Sequence, residues 1–414
     1  MNLFRCRTKG RSATQITQAQ NDLGLRLLAR LARDRAEENI CLSPSGLCLS
    51  LAAAFLASSG ETQRELGRVL GFSVPAQTGD DEVLREWRSS LLEQADDSST
   101  VLTSSVWLPP GSNLVSEYAD RLRRSLGAEA SVLLEDEASA VAQVNQWAGR
   151  MTRGRIAQVL SHVHPADRML LLTVVYLHAK WQVAFDPQAT REAPFRLGPG
   201  RRVSHPLMIR SSEFPHFRTE EVEGIALPYS GGRRRLIVLL PSGDGALVEV
   251  LAGLNAATWR SLVGRLHKEP GTIALPRFVL QEMTDLVGPL ANLGLTRLFD
   301  PDLADFRNLE SSRGTSAIGH ISQVVRLEVD EQGTQASAVT LMVQVVAWPP
   351  LRRQPFEMRI DRPFVFAIED EPSGTLLFLG AVRDPRPPDR RTPAGPTTFE
   401  VPPGTPPEIT RLTL

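Results

Sequence analysis

The stretch Met169 to Ala179 reads Met-Leu-Leu-Leu-Thr-Val-Val-Tyr-Leu-His-Ala and contains no Asp, Glu, Lys or Arg. It has strand length and no apolar–polar alternation, so a strand made from it must be covered on both faces. Asn39 to Ser59 supplies a covering element. Ser43 before Pro44 is a helix start, because proline fits the first turn, and the helix that follows is apolar all round, which requires burial inside a large domain. The chain has 414 residues, of which 42% are hydrophobic, enough for such a core. Length by itself suggests two domains. The only break in composition comes near the end, however, where the chain turns proline-rich. The expected organisation is a loose segment 1–15, one domain over 16–385 and a disordered proline-rich tail over 386–414.

Hydrophobic periodicity predicts helices over Ile16–Ala36, Thr62–Leu70, Val83–Gln94, Val115–Leu126, Ser139–Arg150, Asp285–Leu293, and from Ala256 to near Leu266. Strands are expected at Val101–Leu108, around Phe195, and at Val203–Ile209, Ile225–Tyr229, Leu236–Leu240, Thr272–Leu280, Phe364–Ile368 and Leu376–Val382. Val324 to Val346 is mostly β-formers. Helices dominate the first third and strands the second half, an α+β pattern with helices packed on a large sheet.

Several function classes are excluded or weakened. The formal net charge is −1 with 22% charged residues, which argues against a chain built to hold nucleic acid or an anionic membrane. No run of eighteen apolar residues is present. Cys6, Cys41 and Cys48 cannot make a disulfide framework, so packing must hold the fold. The first residues are basic without an apolar stretch behind them; no secretory leader is read, and a cytoplasmic location is expected, with an extracellular one as the alternative. A phosphate-binding loop needs Lys followed by Ser or Thr, and Lys9, Lys180 and Lys268 all lack that neighbour. A Gly-x-Ser-x-Gly elbow is missing, and His162-Val163-His164 reads as loop histidines rather than metal ligands. No cofactor, no metal and no catalytic activity are expected.

One segment has no ordinary place in this scheme. Gly333 to Ala347 carries no charge; its first half is small residues and its second half β-formers. Trp348-Pro349-Pro350-Leu351-Arg352-Arg353-Gln354-Pro355 follows, which cannot be a central strand because proline donates no ladder bond. The segment suits a loop that later becomes a strand. Such a strand needs small side chains where it first enters a sheet and no charge to bury. Thr334 to Ala347 would span roughly 45 Å when extended.

These residues resemble the serpin family. Glu331-Gln332-Gly333-Thr334-Gln335-Ala336 looks like the serpin hinge. Asn39-Ile40 with Ser43-Pro44 is similar to the family's early strand and buried second helix. Asn145, Trp147, Thr152, Gly154 and Ile156 match an Asn-x-Trp…Thr-x-Gly-x-Ile signature. Lys180-Trp181 with Phe185-Asp186-Pro187 and Thr190, Leu227-Pro228-Tyr229, Leu239-Leu240-Pro241, Leu275-Pro276-Arg277-Phe278, Leu293-Gly294-Leu295, Asp361-Arg362-Pro363-Phe364 and Phe378-Leu379-Gly380 follow in the family's order. Each is weak alone; the ordered set, over about Ile16 to Pro385, is specific.

The resemblance implies a single domain of three β-sheets and about nine helices with an exposed reactive-centre loop. It also implies a monomeric suicide-substrate inhibitor of a serine endopeptidase. A protease cuts the loop, forms an acyl-enzyme, and is trapped when the loop inserts into the central sheet. Cross-class inhibition of a cysteine protease, and a non-inhibitory binding or chaperone role, are the alternatives. The implied hinge is Glu331, Gly333, Thr334, Gln335, Ala336, Ser337, Ala338, Val339 and Thr340. Gln335 stands where the family usually has Glu, and Thr334, Ala336, Ala338 and Thr340 would face inward. Counting forward along the family's hinge length puts the scissile bond at Ala347-Trp348, implying an elastase-like target. Counting back from Arg362-Pro363-Phe364 puts it near Arg352-Arg353, implying a trypsin-like one. The forward count is preferred, because an inserted strand must match the sheet. In the sheet-opening region the family uses Ser, Asn and His. Here Ser43 is accompanied by Gly46, Thr173 and Gln323, an altered network. Glu93 to Ser99 is acidic, and Arg121, Arg123, Arg124 and Arg233 to Arg235 read as solvated faces, so glycosaminoglycan binding is not expected.

Overall fold

A computed structural model of the chain describes residues 9–72, 80–92, 99–163, 168–243, 246–310, 317–334 and 354–387. Among them, helices α1 (Lys9–Asp34), α2 (Pro44–Ala57), α3 (Gly60–Leu70), α4 (Asp80–Leu92), α5 (Ser116–Leu126), α6 (Glu137–Met151), α7 (Ala246–Gly253), α8 (Ala256–Val263) and α9 (Val287–Asn292) alternate with strands. These are β1 (Ile40–Leu42), β2 (Ser99–Leu108), β3 (Glu129–Val132), β4 (Leu170–Lys180), β5 (Arg191–Gly198), β6 (Arg201–Arg218), β7 (Val222–Pro228) and β8 (Arg234–Pro241). The series ends with β9 (His267–Pro276), β10 (Phe278–Asp285), β11 (His320–Val329), β12 (Gly333–Thr334), β13 (Phe356–Arg359), β14 (Phe364–Asp370) and β15 (Thr375–Val382).

The apolar run forms β4, and both of its faces are covered. Leu171, Val175, Leu177 and Ala179 belong to the main core. Leu170, Leu172 and Val174 face the other way, into a second cluster with Trp107, Val144, Trp147 and Ile156 under α6. Helix α2 lies on the first side, and every one of its residues is buried. Its start is the one read from sequence: Pro44 occupies the first turn and the Ser43 hydroxyl accepts from the Gly46 N–H at 3.0 Å, which satisfies one otherwise orphaned donor.

The strands form two hydrogen-bonded sheets. One runs β10-β11-β12-β4-β2-β3; the other runs β1-β15-β14-β8-β7-β6-β9-β13, with β5 on β6. The 18-residue β6 is long enough to pair with β5, β7 and β9, and it joins two of the three expected sheets into one path. The α+β class and the nine helices among the described residues agree with expectation.

Some boundaries differ. Helix α1 begins at Lys9, inside the segment 1–15 expected to be loose, and Ile16, 1% exposed, anchors its inner face. The single strand expected over Thr272–Leu280 is two strands in different sheets. Pro276 donates no bond, and Arg277 N–H turns to the Pro206 carbonyl at 3.2 Å, so the chain changes sheet there. Helix α7 and strands β3 and β13 were not foreseen. They are short, and β13 is held by packing that sequence periodicity does not register. Of the expected tail, 388–414 lies outside the described residues.

The two-residue β12 leads into residues 335–353, and β13 follows them on the other sheet. Among the described residues β13 pairs with β9 alone, in parallel, and its side chains add to that hold. The Phe356 ring stacks on His216, with centroids 3.8 Å apart and planes 3° apart, and meets Phe214 edge-on at 6.1 Å. Phe356→Ala is therefore expected to raise hydrogen exchange at residues 356–359 by at least tenfold, about 1.4 kcal/mol. The amides of β7 and β8 should be unchanged; equal exchange at 356–359 would show that the stack does not hold the strand.

Candidate functional site

The site begins where β11 ends. Asp330 makes the turn: its carboxylate accepts from the Gln332 N–H at 2.8 Å and the Gly333 N–H at 3.1 Å. Burial pushes its carboxyl up, against the pull of those two donors. Gly333 follows at φ 152°, and a Cβ there would lie 2.1 Å from the Ala179 carbonyl oxygen. Only glycine fits, both for the dihedral and for the approach to β4. Thr334 then lies between two strands, opposite Val329 of β11 and Ala179 of β4. It is 0% exposed.

Aromatic and charged groups hold this turn. The Tyr229 hydroxyl and the Thr334 hydroxyl are 2.6 Å apart. Burial pushes the Tyr229 phenol far up, so it keeps its proton and can donate. Trp181 stacks on Tyr229 with centroids 4.6 Å apart and planes 6° apart, and its indole N–H donates to the Asp330 carbonyl at 2.8 Å. The Glu331 carboxylate accepts from Arg277 Nε at 2.7 and 2.9 Å and from the Thr190 hydroxyl at 2.6 Å. Burial works to raise the Glu331 carboxyl, but the bonds from Arg277 and Thr190 outweigh it and hold it below the usual carboxylate range. Trp181, Thr190, Tyr229 and Arg277 all lie in the quoted motifs. Sequence spacing showed that they were present but not that they meet at the hinge, because they come from three separate motifs.

Past this point β11 and β4 pair directly and in parallel, from His320↔Leu170 to Arg326↔Tyr176. The expected sheet-opening residues gather at this seam. Gln323 stands opposite Thr173. Its Oε1 accepts from the Ser43 N–H at 2.7 Å and its Nε2 donates to the Ser43 carbonyl at 2.9 Å. The Ser43 hydroxyl donates to the Leu377 carbonyl at 2.6 Å. The Thr173 hydroxyl meets the Ser50 hydroxyl and lies 3.4 Å from the Ser104 hydroxyl and from the Gly46 carbonyl.

At the far anchor, His216 is 2% exposed, with Nε2 2.8 Å from Glu223 and Nδ1 2.5 Å from Glu269. Sequence reading missed His216 and Phe356; a lone histidine in a strand gives no signal before its stacking partner is placed. Gln335, Ala336, Ser337, Ala338, Val339, Thr340, Ala347, Trp348, Arg352 and Arg353 lie outside the described residues.

The arginines read as solvated faces are mostly engaged. Arg121 pairs with Asp81 at 2.7 Å and Arg123 with Asp120 at 3.1 Å. Arg233 pairs with Asp370 at 2.5 Å, and Arg235 with Glu369 and Glu371 at 2.8 Å each. Arg234 is 2% exposed, which corrects the solvated reading for that residue. Its own position in β8, opposite Asp370 of β14, turns it inward. Cys41 and Cys48 are free and buried, and burial pushes both thiols up. Among the described residues no helix is long and apolar enough to cross a membrane, and no His/Cys/Asp/Glu group is arranged to hold a metal.

Residues 18–385 match the family described as "Serpin (serine protease inhibitor)". The chain is similar to glia-derived nexin of Mus musculus, at 28% identity over 90% of this chain and 94% of that protein. It is also similar to plasminogen activator inhibitor 1 of Neovison vison, at 27% over 90% and 94%. Its fold is similar to native protease nexin-1 solved with heparin, TM-score 0.81 at 24% identity over 90% of this chain and 100% of that one. It is likewise similar to a thyroxine-binding globulin complex with thyroxine, TM-score 0.78 at 20% over 89% and 99%.

The sign of the Glu331 contribution follows from its lowered carboxyl. A carboxylate stabilised in the folded state contributes fully above its unfolded range, and the contribution fades as pH falls through the folded value. Glu331→Gln is expected to cost about 1–2 kcal/mol near neutral pH, measured as a lower heat midpoint. The difference from the parent should shrink as pH drops below the ordinary carboxylate range; a gap that widens in acid would contradict the pairing.

Proposed function

We propose that this chain, which belongs to the serpin family, is a suicide-substrate inhibitor of a serine endopeptidase. The observation that carries the reading is Thr334. It is already inserted between β11 and β4, pairs antiparallel with both, and leads into uncharged chain. Further insertion of the segment would replace one parallel seam by two antiparallel ladders, a pairing that is slightly more stable per residue.

The uncut segment is tied at both ends, by β12 in one sheet and β13 in the other. It cannot add further as a strand until one tie is released. A protease releases it: the attacking serine oxygen bonds to the carbonyl carbon of Ala347, and the Trp348 nitrogen leaves as a new amino terminus. The acyl-enzyme is then carried along as Gln335 to Ala347 zip between β11 and β4. Trapping succeeds when insertion outpaces hydrolysis of the ester. In this reading the chain is consumed once and is not itself a catalyst. Ala347 as the acylated residue favours an elastase-like protease of small apolar preference; Arg352 would favour a trypsin-like one.

The test is to mix the protein with proteases of both preferences and look for a complex that survives boiling in detergent. Mass analysis of the released peptide locates the bond. Cutting without any covalent complex or gain in heat resistance would sink the inhibitor reading and leave a binding role of the thyroxine-carrier kind. A complex with a cysteine protease alone would reassign the target class. Thr334→Arg is expected to abolish the complex, by at least a hundredfold in yield per cut molecule, while leaving cleavage intact. The reason is that a charge would have to occupy a fully buried site in the sheet. Unchanged complex formation by that variant would rule out insertion at Thr334.

A further inference from the structure

The seam that must part has an asymmetry that the hinge does not explain. Every hydrogen bond of the buried Gln323 carboxamide goes to Ser43, below the sheet: one accepted from its N–H, one donated to its carbonyl. Ser43 is in turn tied to β15 through the Leu377 carbonyl. Thr173, across the seam, has a partner in its own sheet. Ser104 of β2 stands opposite it in the β2–β4 ladder, with the hydroxyls 3.4 Å apart. Its other contacts, Ser50 and the Gly46 carbonyl, belong to α2. If β4 departs together with β2, Thr173 keeps Ser104. If β11 departs, Gln323 is left as a buried amide with no partner, which is costly. The room for this amide comes from Gly46. A Cβ there would lie 2.7 Å from Gln323 Nε2, 2.7 Å from Val175 Cγ2 and 3.0 Å from Thr173 Cγ2.

We infer that Gln323, seated in the notch left by Gly46, is a positioning residue for insertion. Its carboxamide ties β11 to the N-terminus of α2 and remains tied while β4 leaves the seam. The inference deepens the inhibitor reading and rests on it for its purpose, though the tether itself exists in the uncut protein. Gln323 and Gly46 act as a pair, and Thr173 is the releasable contact on the other side.

The experiment compares heat midpoints of uncut and loop-cut protein, and annealing of a synthetic peptide of sequence Thr334–Ala347. Gln323→Ala is expected to lower both midpoints alike, by a few degrees. Thr173→Val should lower only the uncut one and speed annealing severalfold. Gln323→Glu supplies a readout that simple loss of packing does not give. As a protonated acid its O–H can donate to the Ser43 carbonyl while its C=O accepts from the Ser43 N–H; as a carboxylate it has no donor. That variant should match the parent in acid and fall to the level of Gln323→Ala near neutral pH, the parent measured at each pH as reference. Gly46→Ala should show the Gln323→Ala defect at every pH, and adding Gln323→Ala to it should cost little more.

The inference is overturned if Gln323→Ala affects only the uncut form while Thr173→Val affects both. It is also overturned if Gln323→Glu shows no acid recovery. If the parent gains no heat resistance on cutting, the inhibitor reading falls separately. The tether is then judged on uncut protein: acid recovery of Gln323→Glu supports it, and its absence overturns it.

Discussion

The architecture turns on the parallel seam between β11 and β4. Two buried strands of like direction meet there without a third between them, although β12 has already been admitted at one end. A parallel pair is the weaker ladder, and both strands need cover on their faces. The surroundings supply that cover: α2 buried on one side, α6 with its tryptophan cluster on the other. The hinge turn, the Gln323–Ser43 link and the glycines at 46 and 333 all serve the same seam. They keep it closed along its length and open at one end.

That arrangement connects packing to function. Burial at the hinge demands that entering residues be small and uncharged, and the chain after Thr334 meets that demand. At the middle of the seam Gln323 is paired with the Ser43 backbone, and the Thr173 hydroxyl with those of Ser50 and Ser104. In the proposed mechanism, opening would exchange these bonds for ladder bonds to an incoming strand. In the proposed mechanism the remote anchor is β13. There β13 lies on β9, and the Phe356 ring lies flat on the buried His216 ring.

Among the described residues the fold is held by packing and hydrogen bonds rather than by covalent restraints. Cys41 and Cys48 are buried and unpaired, and they serve as small apolar residues of the core. Ion pairs include Arg277–Glu331 beside the hinge and, in the other sheet, the arginines of β8 with carboxylates of β14 and the turn after it.

Much of this could be read in the sequence because it rests on local rules. An unalternating apolar run has to be a strand covered twice, Ser-Pro before an apolar stretch has to begin a buried helix, and an uncharged small-residue segment suits entry into a sheet. The ordered motifs brought Ser43, Gly46, Thr173 and Gln323 forward as one region, and they do converge. Local rules could not say that Gln323 would bond to the Ser43 backbone at the start of α2, that Gly46 would leave room for it, or that Phe356 of β13 would stack on His216. Those facts depend on which segments meet across hundreds of residues. The break at Pro276 and the joining of sheets along β6 are of the same kind. The sequence by itself determined which segments could be buried and which could move, since burial of charge and loss of backbone donors are decided residue by residue. Only the tertiary structure decided which partner holds each of them, because hydrogen-bond geometry and close approach exist only between segments already packed together.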